Sequence, residues 1–311
     1  MKPQMEVTVA GIRLRNPVLA ASGTFGYGIE FEEIVSLDRI GGFVTKGLSR
    51  EPMAGNAAPR IIETAAGMMN AIGLQNVGVK AFIEKKLPQL RKYSCAVIAN
   101  VFGYEIEDYL AVIEALNAAE GMAAYELNAS CPNTKHGGQV FGTDAGLLGE
   151  LVTRAKAVSK RPLFVKLSPN VTSISEMARA AEQAGADALS LVNTFVALSI
   201  DIKTRRPRIA NITGGLSGPA IRPIAVRMVW EAAKAVKIPI IGLGGITTPE
   251  DAVEFMLAGA TAVQVGTASY ADPRAVEHIA TGLERWCARN HVERVSDLTG
   301  KLDTSPQPAQ G

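Results

Sequence analysis

The stretch IPIIGLGGITTPEDAVEFMLAGATAVQVGT, residues 238–267, decides the fold. Its first apolar, β-branched run, Ile238 to Gly245, ends on paired glycines, and its second, Ala262 to Thr267, ends at Gly266-Thr267. Short, continuously apolar runs of this kind suit strands buried on both faces, which are the strands of a parallel sheet. Between them Pro249 to Leu257 has a helical pattern. Thr248 offers a capping hydroxyl, Pro249 fits the first helical turn, and Gly259 is placed to stop the helix. The stretch therefore predicts strand, helix and parallel strand in succession.

The same rhythm begins at Pro17. Further runs occupy Val18 to Gly23, Phe43 to Leu48, Ala96 to Val101, Ala124 to Ser130, Leu163 to Ser168 and Ala188 to Asn193, making eight in all. Helical patterns separate them at Val79 to Tyr93, Ile106 to Ala119, Leu147 to Ser159, Ile174 to Ala184 and Arg222 to Val236. Another, Arg274 to Arg289, follows the last run, while the one after the first run, Ile29 to Ser36, is short. Eight βα units predict an α/β protein, a (β/α)8 TIM barrel, with residues 1–303 forming one domain and 304–311 a disordered tail. Alternation around Ala10-Gly11 predicts a hairpin from Glu6 to Arg15 that closes the bottom of the barrel. Two connections, Ser49 to Gly78 and Thr194 to Pro219, are too long for ordinary βα turns and are expected to be active-site loops.

Composition narrows the function. With 47% hydrophobic residues and a net charge of +2, the chain of 311 residues is not of the disordered class. The densest basic cluster, Lys203 to Arg208, is a loop's length and gives little support for nucleic-acid binding. Every apolar run is broken well short of a membrane-spanning length, and the first residues lack a signal-peptide core, so a cytoplasmic protein is expected. Cys95, Cys131 and Cys287, with His136, His278 and His291, are too scattered for a disulfide framework or a metal centre.

The strand ends suggest a chemistry. Glycines closing the last two strands, Gly244, Gly245 and Gly266, allow backbone N–H groups to approach a phosphate, although any single glycine there could merely ease a turn. Lys46 and Lys166 fall at the ends of the second and fifth strands, where an unpaired ammonium is costly. They are either structural ion pairs, with Glu126 a candidate partner, or groups that meet an anionic ligand. Asn70, Asn100, Asn128, Asn133 and Asn193 fall at strand ends or in the loops after them. Carboxamides donate and accept, which suits a heterocycle such as a flavin or a pyrimidine. Cys131 stands in a polar, glycine-rich loop and is a candidate nucleophile or base, with His136 nearby; Cys95 and Cys287 read as packing residues.

At these motifs the sequence resembles the class 1 dihydroorotate dehydrogenases, in particular the catalytic subunit of the NAD-linked type B. The resemblance runs from about residue 5 to residue 302. It rests on Ala21-Ser22-Gly23-Thr24, Thr45-Lys46-Gly47, Asn70-Ala71-Ile72-Gly73-Leu74-Gln75-Asn76, Asn128-Ala129-Ser130-Cys131-Pro132-Asn133, Lys166-Leu167-Ser168-Pro169, Gly214-Gly215-Leu216-Ser217-Gly218 and Gly244-Gly245-Ile246. It implies oxidation of dihydroorotate to orotate, in pyrimidine biosynthesis, on one FMN per chain. Ser22, Lys46, Gly47, Asn100, Asn128, Lys166, Val192, Gly218, Gly244, Gly245, Gly266 and Thr267 would then contact FMN. Lys46, Asn70, Ala71, Ile72, Gly73, Leu74, Asn128, Asn133, Asn193 and Thr194 would surround the substrate. Cys131 would be the base at C5 while C6 gives hydride to the flavin, and Lys166 would offset charge on the reduced ring.

The continuation Lys135-His136-Gly137-Gly138 is similar to type B rather than to the fumarate-using type A. Type B implies a heterotetramer built on a homodimer, in which a second subunit carries FAD and a [2Fe-2S] cluster and passes electrons to NAD. Three cysteines cannot supply the four thiolates of such a cluster. Ala129 stands where the family commonly has Val or Ile, and Thr134 where Val is common. Two other readings of the same barrel are a Schiff-base aldolase using Lys46 or Lys166 and a flavin-binding scaffold without catalysis.

Overall fold

The computed structural model describes residues 2–129 and 141–305. The chain opens with β1 (Val7–Val9) and β2 (Ile12–Leu14), the expected hairpin, whose turn residues Ala10 and Gly11 both take positive φ. That is the turn whose twist matches antiparallel strands. Val7, Val9 and Leu14 are buried in the main core, and two residues after Asn16 the barrel begins.

Its eight strands are β3 (Val18–Ala20), β4 (Gly42–Val44), β7 (Ala96–Val101), β8 (Ala124–Asn128), β9 (Leu163–Lys166), β10 (Ala188–Leu191), β15 (Ile240–Leu243) and β16 (Ala262–Val265). They pair in parallel in chain order and close when β16 meets β3 at Val263–Val18, Gln264–Leu19 and Val265–Ala20. The predicted (β/α)8 barrel is thus present. Most runs end two or three residues sooner than their apolar character suggested, because the chain leaves the ladder at the Gly, Asn and Lys positions that form the mouth.

Around the barrel lie α3 (Ile106–Asn117), α4 (Ala145–Val158), α5 (Ile174–Gln183), α6 (Arg222–Ala233), α7 (Pro249–Leu257) and α9 (Ala275–Arg289). Gly185 and Gly259 follow α5 and α7 with φ of 99° and 126°, where a side chain would be strained. Three expectations are corrected. The continuous helix read from Val79 to Tyr93 is α1 (Val79–Ala81), a π-helical turn (Phe82–Lys86) and α2 (Leu87–Leu90). Pro88 has no N–H to give the carbonyl of Glu84, so the α-helical ladder cannot run through it. The short helix after the first barrel strand is two 3-10 turns, Ile29–Phe31 and Leu37–Arg39. A short helix unread in the sequence, α8 (Ala268–Ala271), follows Thr267 directly.

The long connections are more than loops. β5 (Ile61–Thr64) and β6 (Gly67–Asn70) come from the first, and β11 (Phe195–Leu198) and β14 (Thr213–Ser217) from the second. They form one antiparallel sheet in the order β11-β14-β6-β5, registered by Gly215 against Asn70 and Phe195 against Leu216. Met69, Ala71 and Ile209 make a small core beneath it, apart from the main core. A two-stranded ribbon, β12 (Ile200–Asp201) with β13 (Arg206–Pro207), extends from the same connection. Among the described residues no helix is long and apolar enough to cross a membrane. The tail expected to be disordered lies, from residue 306 onward, outside the described residues.

Candidate active site

A cavity opens where the barrel strands end, walled on one side by the antiparallel sheet. Its floor is built from single polar residues set in otherwise apolar strands: Asn100 on β7, Lys166 on β9 and Gln264 on β16. Glu126 on β8 and Ser190 on β10 tie this layer together. Glu126 is fully buried and accepts from Asn100 Nδ2 at 2.8 Å, Ser190 Oγ at 2.7 Å and Gln264 Nε2 at 2.9 Å. Among the described residues, two carboxamide oxygens, Asn100 Oδ1 and Gln264 Oε1, are buried with no hydrogen-bond partner. Such atoms are costly unless a ligand meets them.

Lys166 is 5% exposed and its Nζ donates to Ser22 Oγ at 3.1 Å. Burial pushes its pKa down against the opposing pull of Glu126. Lys46, just beyond β4, is also held below the usual lysine range by burial, with Arg60 adding repulsion. Among the described residues neither ammonium forms an ion pair, so the structural-bridge reading of these lysines fails and both cations face the cavity. Glu126 acts on Lys166 through space, while its hydrogen bonds go to neutral groups.

Above the floor, Asn128 at the end of β8 accepts from Asn193 Nδ2 at 3.4 Å, and Asn193 Oδ1 accepts from the backbone N–H of Thr194 at 2.8 Å. Asn70 on β6 donates to the carbonyl of Gly215 at 3.5 Å, which fixes its amide at the sheet side of the cavity. Gly215 is required there: a Cβ would lie 2.0 Å from Thr194 Oγ1. The glycine turn after β15 is braced by Asp251. Its Oδ2 accepts from Thr247 N at 2.8 Å, Thr247 Oγ1 at 2.9 Å and Thr248 N at 2.9 Å, and its other oxygen pairs with Arg222. Opposite, Thr267 Oγ1 donates to Ser217 Oγ at 2.8 Å, joining the end of β16 to the overlying sheet.

The cavity wall includes Ser22, Lys46, Gly47, Asn100, Asn128, Lys166, Val192, Gly244, Gly245, Gly266 and Thr267. It also includes Asn70, Ile72, Gly73, Leu74, Asn193 and Thr194. Two expected residues stand behind it. Ala71 alternates away from Asn70 and packs with Met69 and Ile209, and Gly218 lies against Gly67, where a Cβ would be 2.6 Å from Gly67 Cα. Cys131, Asn133 and His136 lie outside the described residues. Gln264, Ser217 and Tyr270 line the cavity but were missed from the sequence. Gln264 had a legible signal, a lone amide in the buried run Ala262 to Val265, shared with Ser190 in Ala188 to Leu191. Burial raises the thiol pKa of both Cys95, to about 12, and Cys287, as suits packing residues.

A profile of the dihydroorotate dehydrogenase family matches residues 4–286. A putative dihydroorotate dehydrogenase A (fumarate) of Solibacter usitatus is 60% identical, over 97% of this chain and 99% of its own length. The catalytic subunits of dihydroorotate dehydrogenase B (NAD(+)) of Trichlorobacter lovleyi and Geobacter sulfurreducens are each 57% identical, over 97% of this chain and 100% and 99% of theirs. A match of this length, together with the closed barrel, establishes that the chain belongs to the dihydroorotate dehydrogenase family.

Proposed function

We propose that the chain oxidises dihydroorotate to orotate in pyrimidine biosynthesis with FMN seated over the polar floor. The observation that carries this is the pairing of two unmatched carboxamide oxygens with two unpaired lysines in one cavity. A ring presenting N–H and carbonyl groups and bearing a phosphate satisfies both kinds of group, so the residues present fit FMN. The cofactor's chemistry, when bound, is to accept the hydride. The chain supplies the rest.

Lys166, fixed by Ser22, would offset negative charge on the reduced ring, in a setting where burial strengthens its effect. Gly244, Gly245, Gly266 and Thr267 would hold the phosphate, in a turn kept rigid by Asp251. Asn70, Asn128, Asn193 and Thr194 would hold the substrate's amide and carboxylate groups, with Lys46 as the nearby cation. Cys131, three positions after Asn128 in the sequence, would take the C5 proton.

For the electron acceptor we favour NAD, reached through a partner subunit that brings FAD and a [2Fe-2S] cluster to a homodimer of this chain. The type B names of several relatives and the sequence Lys135 to Gly138 support it. The type A name of the 60% identical relative favours fumarate instead. The two are separated by assaying dihydroorotate oxidation by the purified chain with fumarate and with NAD, the latter with and without the candidate partner. NAD reduction that needs the partner is the expected result; rapid turnover of the isolated chain with fumarate would establish the type A reading. Borohydride trapping of a carbonyl substrate on Lys46 or Lys166 in flavin-free protein would replace both with an aldolase.

A further inference from the structure

Glu126 is the most enclosed charged group of the polar floor, yet it does not line the cavity. A carboxylate accepts hydrogen bonds and cannot donate them, so an amide bonded to it must turn its nitrogen inward. Asn100 and Gln264 both do so, at 2.8 and 2.9 Å, and Ser190 supplies a third donor at 2.7 Å. Their carboxamide oxygens consequently point away from Glu126 and are, among the described residues, two of the four buried side-chain oxygens without a partner. Gly47 leaves room on that side: a Cβ there would lie 3.0 Å from Asn100 Oδ1.

We propose that Glu126 is a positioning residue that fixes the carboxamides of Asn100 and Gln264 with their oxygens toward the cavity, so that its floor accepts a hydrogen bond from a ring N–H. The inference rests on the FMN reading and adds a polarity to it: the protein accepts and the bound heterocycle donates. Glu126 meets no ligand itself. A glutamine at 126 would bring a donor of its own, so one of the two amides could turn its oxygen inward and offer nitrogen to the ligand.

The test is reconstitution of wild-type and Glu126→Gln protein with 15N-labelled FMN, following the ring N–H proton by NMR and FMN affinity by fluorescence. In wild type that proton should exchange at least about tenfold more slowly than in free FMN, as a buried acceptor requires. Glu126→Gln should reduce the protection and bind FMN about tenfold more weakly. Ser190→Ala, which keeps the hydrogen bonds of both amides to Glu126 and costs those amides only a long 3.5 Å contact from Gln264 Nε2, should keep the protection. An unprotected N–H in FMN-loaded wild type, or wild-type protection in Glu126→Gln, overturns this inference and leaves the cofactor reading intact. Folded wild type that does not take up FMN overturns both. If Glu126→Gln does not fold, Asn100→Leu and Gln264→Leu replace it, and full protection in both variants overturns the proposal.

Discussion

Lys166 shows at the scale of one residue how function and stability oppose each other. Its ammonium sits inside the barrel with a serine hydroxyl for a partner, and its folded pKa lies below the ordinary value of 10.5. The folded protein therefore binds this proton less tightly than the unfolded chain does. The related stability is fully present above pH 10.5 and is lost as pH falls through the depressed native pKa. At neutral pH, well below 10.5, burial of this amine weakens the cofactor-free protein. Lys166→Met should raise its melting temperature at pH 7, by about 2 °C for about 1 kcal/mol, and the gap should narrow as pH rises toward 10.5. The same variant should bind FMN less tightly. Cys131→Ala should behave oppositely, retaining FMN while slowing flavin reduction about 100-fold or more in stopped-flow experiments, as loss of a general base requires. Unchanged reduction at saturating dihydroorotate would remove Cys131 from that role.

At the scale of elements, what was legible depended on whether neighbours in the fold were neighbours in sequence. The barrel strands pair with the next βα unit, and each announces itself by a short apolar run ending in Gly, Asn, Lys or Ser. The strand-end lysines, asparagines and glycines could therefore be placed at one mouth from the sequence. The sheet across that mouth could not. β6 and β14 meet across 145 residues, and neither alternates: Gly67–Asn70 carries two adjacent methionines and Thr213–Ser217 two adjacent glycines. Ala71, which the family motif brings in with Asn70, packs behind the wall with Met69 and Ile209, and that alternation needs β6 to be known. Pro88 was visible, but its effect on the helix was not drawn from it. The turn after β15 offers an element-scale test. Asp251 holds Thr247 and Thr248, completes the capping box of α7 and pairs with Arg222, so Asp251→Ala removes a buried carboxylate and frees donors that water can reach. It should destabilise the protein by about 1–2 kcal/mol and weaken FMN binding more than riboflavin binding, because the turn is the one proposed to hold the phosphate. Equal losses for both ligands would detach the turn from phosphate recognition.

Across the whole molecule, closure of β16 on β3 brings the last strand's Gln264 into one polar layer with Asn100, Glu126 and Lys166. Asn100 and Gln264, separated by more than half the chain, thus line one cavity beside Lys166, and the overlying sheet walls it on one side. This arrangement explains why a family profile spans residues 4–286 rather than a local motif. It also separates two questions. The proposed half-reaction with substrate would need only this chain's own site, whereas the proposed final acceptor would need a partner subunit. The most direct test of the account is therefore the first half-reaction: anaerobic addition of dihydroorotate to the purified, FMN-loaded chain with absorbance followed at the flavin band. The account predicts bleaching of the flavin with one orotate formed per FMN, without any partner or acceptor. A flavin that stays oxidised at saturating dihydroorotate would contradict it.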